Sequence, residues 1–176
     1  MLYVAATIDG FIADSDGGVA WLERFNIEGE DHGYEEFLSQ ADSVIMGAKT
    51  YEQELSRGGW PYAGRPTWVF THRRLSRPPE ANVRFVNGAV SDHIAEIRKT
   101  TDRTAFLVGG AHLVEQFIAV GALDQLRLFV VPLTLGKGIR LFEAAEPIGA
   151  ELLDTRSYLT GLVELHYRLQ GRPLGS

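Results

Sequence analysis

The chain has 176 residues, 45% of them apolar and 23% charged. That balance fits one globular domain with its own core and excludes disorder as the main state. It contains no cysteine, which excludes disulfides, thiolate zinc sites and a cysteine nucleophile. The net charge is −6, against the basic face that nucleic-acid binding requires. No apolar run approaches the ~20 residues of a membrane span, and the N-terminus has no basic flank of the signal-peptide kind. Neither nucleic acid nor a membrane is expected as a partner, and the expected location is cytoplasmic.

In chain order, a run rich in β-branched and aromatic residues predicts a strand at Leu2–Thr7. Helical spacing of Tyr34, Phe37 and Leu38 predicts a helix over Tyr34–Gln40, followed by a strand at Ser43–Met46. A second helix begins at Thr50–Leu55 and ends at Gly58-Gly59; strands follow at Thr67–Phe70 and Val83–Val86. Ser91 reads as the N-cap of a helix over Asp92–Lys99. After a strand at Ala105–Val108, a helix over Ala111–Val120 buries Leu113, Val114, Phe117 and Ile118 and stops at Gly121. A strand at Gln125–Val131 leads to two longer runs, Glu151–Ser157 and Leu162–Leu169, which flank the hairpin turn Tyr158–Gly161. The alternation predicts an α/β fold: a mainly parallel sheet, helices on both faces and an antiparallel hairpin at one edge. Residues 1–170 form a single domain on this reading, and residues 171–176 a flexible tail.

In an open α/β sheet, ligands gather beyond the carboxyl ends of the strands, so the residues after each strand are the informative ones. Gly109-Gly110 follow one strand, and Ala111-His112-Leu113 open a helix. Glycines let a ligand approach the backbone, and the first turn of a helix offers free N–H groups. This pairing suits a pyrophosphate; a tight turn with no ligand is the alternative. Gly47-Ala48-Lys49-Thr50 bring a glycine, a cation and a hydroxyl to a second helix start, unless Thr50 is only an N-cap. Thr71-His72-Arg73-Arg74, with Arg77 close behind, form a third strand end. That cluster is either a solvated loop or a guanidinium fork for a 2′-phosphate. Three successive strand ends with phosphate-compatible chemistry point to one coenzyme, NADPH.

The chain resembles the dihydrofolate-reductase-like proteins, most closely the riboflavin-biosynthesis reductase domain group. Four stretches carry the resemblance: Ala6–Ala13, Val44–Glu52, Phe106–Ala111 and Val131–Ile139. It extends from Leu2 to about Leu169 and implies a homodimeric NADPH-dependent reductase of a small heterocyclic or carbonyl/imine substrate. The substrate it implies first is 5-amino-6-(5-phosphoribosylamino)uracil, as in the riboflavin pathway; dihydrofolate-type reduction is the alternative. The resemblance implies that Ala6 and Ile12 hold the nicotinamide through backbone contacts, with Asp14–Gly18, including Gly17, as a mobile lid. It implies that Met46, Gly47, Lys49, Thr50, Thr71 and His72 face the phosphates and adenine ribose. Val108, Gly109, Gly110, Ala111, His112 and Leu113 would hold the pyrophosphate. This chain has Ala48 where the family usually has arginine, so Lys49, Arg73 or Arg74 must meet a 2′-phosphate, or NADH is tolerated. The cysteines of the zinc deaminase domain carried by bifunctional relatives are missing, which excludes deamination here.

A reductase of this kind needs a proton donor. By resemblance, Asp31 falls where dihydrofolate reductases keep an acid at the start of the first helix; the alternative is that it caps that helix from outside. Glu35 and Glu36 read as solvated, and Asp9 as a turn residue. Trp21, Tyr34 and Phe37 form either an aromatic wall for a flat substrate or ordinary core. His32, His93 and His166 lack metal spacing, and Asp14–Gly17 lacks the closing ligands of a calcium loop. No nucleophile elbow supports a hydrolase. The competing class is a nucleotide-binding dimeric module without catalysis. The homodimer is expected to use the C-terminal strands, whose alternation of Leu162, Glu164, His166 and Arg168 reads as an edge.

Overall fold

The computed structural model describes residues 1–79, 81–143 and 147–173. In chain order its elements are β1 (Leu2–Thr7), β2 (Phe11–Ala13), a 3-10 helix (Ala20–Phe25), α1 (Tyr34–Gln40) and β3 (Ala41–Gly47). Next come α2 (Ala48–Ser56), β4 (Thr67–Phe70), β5 (Val83–Val86), α3 (Val90–Lys99), β6 (Thr104–Gly109) and α4 (Ala111–Ala119). The last are β7 (Gln125–Val131), β8 (Ile139–Arg140), β9 (Ile148–Ser157) and β10 (Val163–Pro173).

Eight strands form one sheet in the order β5-β4-β3-β6-β1-β7-β10-β9. The six strands from β5 to β7 in that order pair in parallel, and β10 runs antiparallel to both β7 and β9. This is the predicted α/β sheet with its antiparallel pair at one edge. The chain leaves β3 outward through α2 to β4 and β5, then returns to insert β6 between β3 and β1. From β6 it leaves in the other direction, through α4 to β7. The β3–β6 pair is therefore the point where the winding reverses, which is where a crevice opens in a sheet of this type.

Two apolar layers fix this arrangement. Leu113, Val114, Phe117 and Ile118 of α4 and Ile97 of α3 bury one face of the sheet against Leu2, Ile45 and Leu107. On the other face Phe37 of α1 and Tyr51 of α2 pack on Val44, Met46, Val69 and Phe106. The central strands β3, β4 and β6 send alternate side chains to the two layers, as a period of two requires. The 3-10 helix and the β2–β8 pair carry too few residues to show a period, and the sequence reading does not contain them. The β2–β8 pairing depends on Gly138, whose φ is 151°; a Cβ there would lie 2.2 Å from the Ala13 carbonyl oxygen.

Three sequence expectations change. β10 continues through Gly171 to Pro173 and pairs with Ile148, so the start of the expected tail is strand; Leu174–Ser176 lie outside the described residues. Ser91 is inside α3, and the amide before that helix, on Ala89, donates 3.2 Å to Asp92 Oδ2 instead. Thr50 does not cap α2, whose N-cap is Gly47.

A buried charged cluster ties β10 to β7. The Arg127 guanidinium donates through Nε to Glu164, whose second oxygen accepts the Tyr158 hydroxyl at 2.7 Å. The guanidinium carbon lies 5.3 Å from the centre of the Tyr3 ring, and the Tyr3 hydroxyl donates 3.0 Å to the His32 carbonyl. Glu164 is 5% exposed, so removing its charge strands a guanidinium in a poorly solvated place. Glu164→Ala is expected to cost about 3 kcal/mol in chemical denaturation. A loss below about 0.5 kcal/mol, the usual range of a surface change, would contradict that role.

Candidate functional site

A cleft of about 970 Å³ opens at the β3–β6 reversal, at the top of the ~300–1,000 Å³ range of ligand pockets. Its floor is built from two strand ends. Gly47 ends β3 and Gly109 ends β6; a Cβ on Gly47 would stand 3.8 Å from the Gly109 carbonyl oxygen. Gly109 has φ 133°, a conformation that glycine alone adopts without strain. The Gly109–Gly110 peptide is cis.

Two helices start at this floor, α2 directly after Gly47 and α4 directly after Gly110, and no side chain caps either one. The Leu113 and Val114 amides turn back to the Gly110 carbonyl. The Ala111 and His112 amides have no acceptor among the described residues and border the cleft. The Thr50 hydroxyl faces the same floor, 3.7 Å from where a Gly110 Cβ would be. Two uncapped N-termini, two glycine-lined strand ends and a free hydroxyl form a cradle with the chemistry of an anion site. The donor set fits a pyrophosphate, and side chains larger than hydrogen would fill the space it needs.

Of the residues singled out from sequence, Ile12, Tyr34, Gly17, Gly47, Lys49, Thr50, Thr71, His72 and Val108 through Leu113 line this cleft. Lys49, His72 and His112 are exposed cations or potential cations around it. Others lie elsewhere. Ala6 and Met46 are buried and do not border the cleft, whereas Ala5, the neighbour of Ala6 on β1, does. Arg73 turns away to pair with Glu52 at 2.5 Å, both side chains about half exposed. Phe37 is 1% exposed core, and Trp21 packs with Phe25, Phe129 and Tyr158 outside the cleft. The expected aromatic wall thus keeps only Tyr34 of its three members.

Asp31 also falls outside the cleft. Its two oxygens accept the Gly33 and Glu35 amides at 2.9 and 2.8 Å, and the residue is exposed. Those bonds, the one from Glu35 first, hold its carboxyl below the usual carboxylate range. It is ionised at neutral pH and has no proton to give, so the capping alternative describes it and the acid role does not. Asp9 anchors loops: it accepts the Thr7 hydroxyl and the Leu135 and Gly136 amides.

The segment Asp14–Gly18 is a tight turn in which Asp14 accepts the Asp16 and Gly18 amides. The Gln53 side chain donates 2.9 Å to the Gly17 carbonyl, linking the turn to α2. Sequence reading missed Gln53, Glu54, Arg57 and Tyr62, all of which line the cleft. Gln53 and Glu54 stand three and four positions after Thr50, the spacing that puts them on its side of the helix.

Two substitutions test this geometry. Gly110 has an ordinary φ of −77° and room for a Cβ, so Gly110→Asp should fold, while placing a carboxylate in the anion cradle. It is expected to weaken NADPH binding by at least about tenfold in fluorescence titration; unchanged affinity would contradict the cradle. Asp31→Ala should cost about 1 kcal/mol of stability as a lost cap and leave coenzyme affinity unchanged. The Asp31 contribution is present at neutral pH and is lost as acid protonates the carboxyl, so the variant and parent melts should converge at low pH.

Comparison with known proteins gives the family and the fold. The family model of the RibD C-terminal domain matches residues 1–163. The uncharacterized Bacillus subtilis (strain 168) protein YwjB is 35% identical over 169 residues, covering 95% of each chain. Dihydrofolate reductase HdrB of Haloferax volcanii is 30% identical over 125 residues, 68% of this chain and 59% of that one. The crystal structure of a Shewanella sp. PV-4 protein provisionally assigned to riboflavin biosynthesis superposes with a TM-score of 0.85 at 25% identity, covering 96% of this chain and 97% of that one. The chain belongs to the RibD C-terminal domain family, a reductase-like domain with the dihydrofolate-reductase-like fold.

Proposed function

We propose that the protein is an NADPH-dependent reductase acting on a small heterocyclic or carbonyl/imine substrate, with 5-amino-6-(5-phosphoribosylamino)uracil as the leading candidate. The observation that carries this reading is the convergence of two uncapped helix N-termini on glycine-lined strand ends at the winding reversal. Family membership supports it, since reductase domains of this family generally use NADPH. When bound, the coenzyme supplies a hydride to the substrate's electron-poor carbon.

The chain's own residues bind and orient. Amides of the first turns of α2 and α4 would hold the pyrophosphate, with the Thr50 hydroxyl beside them. Lys49 and His72, at the ends of β3 and β4, are the cleft-side groups placed for a 2′-phosphate, in place of the arginine that Ala48 replaces. The turn at Gly17, pinned by Gln53, borders the cleft together with Ile12 and Ile139. Dihydrofolate reduction is the second reading, and the likeness to HdrB favours it. A module without catalysis is favoured by the absence of Asp31 from the cleft.

Mixing the protein with NADPH and each candidate substrate, and following the reduced-nicotinamide absorbance, separates these. Consumption with the aminopyrimidine is expected. Turnover only with dihydrofolate supports the second reading, binding without turnover the module, and no NADPH binding overturns all three. Lys49→Ala is expected to weaken NADPH by about tenfold, a charge-assisted contact, and NADH much less. An equal loss for both would show that Lys49 does not read the 2′-phosphate.

We also propose a homodimer through the C-terminal strands. β9 is the outer strand of the sheet, and most of its ten residues are exposed, Leu152 among them. An unpaired edge of this length invites pairing with a second chain. Light scattering should give twice the chain mass; a monomer at micromolar concentration would contradict it.

A further inference from the structure

One helical turn beyond Thr50, Glu54 borders the cleft with a side chain only 12% exposed. Among the described residues that line the cleft, it is the one carboxylate. Its Oε1 accepts Arg57 Nη1 at 2.7 Å. The partner of Oε2 is the Tyr62 hydroxyl at 3.5 Å, the outer limit of a hydrogen bond. An ionised carboxylate has about four acceptor positions, and here one is engaged at a good distance. Arg57 sits at the rim, 58% exposed, and supplies a countercharge beside Glu54. The half-buried ring beside it is Tyr34, backed by core rings: Tyr34 and the buried Tyr62 both pack edge-on against the buried Phe106, with centroids 6.4 and 6.2 Å away.

We propose that Glu54 is the substrate-specificity residue, its Oε2 accepting hydrogen bonds from exocyclic amino groups of a flat nitrogen heterocycle seated against the Tyr34 ring. An acceptor with open capacity in a largely apolar recess favours a ligand that brings donors. It rejects an isostere that leaves the acceptor unpaired. The substrate class is thus an amino-substituted heterocycle rather than a simple carbonyl compound. Neither Asp31 nor any cradle residue takes part in this selection. The inference deepens the reductase reading and rests on it for the reaction, but the recognition itself is measurable without coenzyme.

The probes are 5,6-diaminouracil and 5,6-dimethyluracil, which share a shape and differ in the two amino donors. Binding is measured by calorimetry, with and without NADPH, to the wild-type protein and to Glu54→Gln. The wild-type protein should prefer the diamino compound by at least about tenfold. Glu54→Gln should erase most of that preference while keeping its thermal melt and NADPH affinity. Equal binding of the two probes by the wild-type protein, failure to bind either, or an undiminished preference in Glu54→Gln would each overturn the proposal. The wild-type comparison needs no substitution, so a Glu54→Gln protein that fails to fold leaves the test standing. Loss of NADPH binding in the wild-type protein would sink the reductase reading instead, while the probe preference still decides the role of Glu54.

Discussion

The site depends on unsatisfied backbone N–H groups held together at one place. Every helix begins with amides that its own carbonyls cannot reach. In most helices a serine, threonine, aspartate or asparagine satisfies one of them. Here α2 and α4 begin with glycine N-caps and no side-chain cap, and the reversal of winding sets their first turns on opposite sides of one crevice. Gly47 and Gly109 keep the crevice floor free of side chains. The partial positive charges of the two helix ends therefore act on the same volume, within an acidic protein, without relying on mobile surface cations.

Around that cradle the structure assigns polar residues to two kinds of work. Asp9, Asp14, Asp31 and Asp92 satisfy backbone amides and so fix turns and helix starts. Arg127, Glu164, Tyr158 and Tyr3 form a buried cluster that joins the closing hairpin to the parallel sheet. Burial pushes the Tyr158 hydroxyl well above the ordinary tyrosine range, so it stays protonated and keeps its proton on the Glu164 oxygen. Lys49, Gln53, Glu54, Arg57 and His72, by contrast, line the cleft, where a bound molecule could meet them.

Much of the sheet was legible in the sequence because its strands are buried runs bounded by glycines and polar turns. Four strands, β1, β4, β5 and β7, have the bounds that periodicity gives. The glycine strand ends were legible for the same reason: few other residues stand where a strand must meet a helix start closely. Side-chain direction was not. Arg73 follows β4 at a position that suits a phosphate ligand, but Glu52, one position from Gln53 on α2, pairs with it at the surface. Met46 lies on a strand that reaches the cleft, yet its side chain turns into the layer with Phe37 and Tyr51. Asp31 matched a position in the chain and not a direction in space, since amides two and four residues onward capture both oxygens. Glu54 escaped notice because nothing local marks a mid-helix glutamate until α1 and the segment at Tyr62 fold against it.

The most direct measurement is a crystal structure of the protein with NADPH. Pyrophosphate oxygens within hydrogen-bonding distance of first-turn amides of both α2 and α4, over the Gly47 and Gly109–Gly110 floor, are the expected result. A coenzyme held by one helix alone, or seated away from the β3–β6 reversal, would contradict the two-helix cradle.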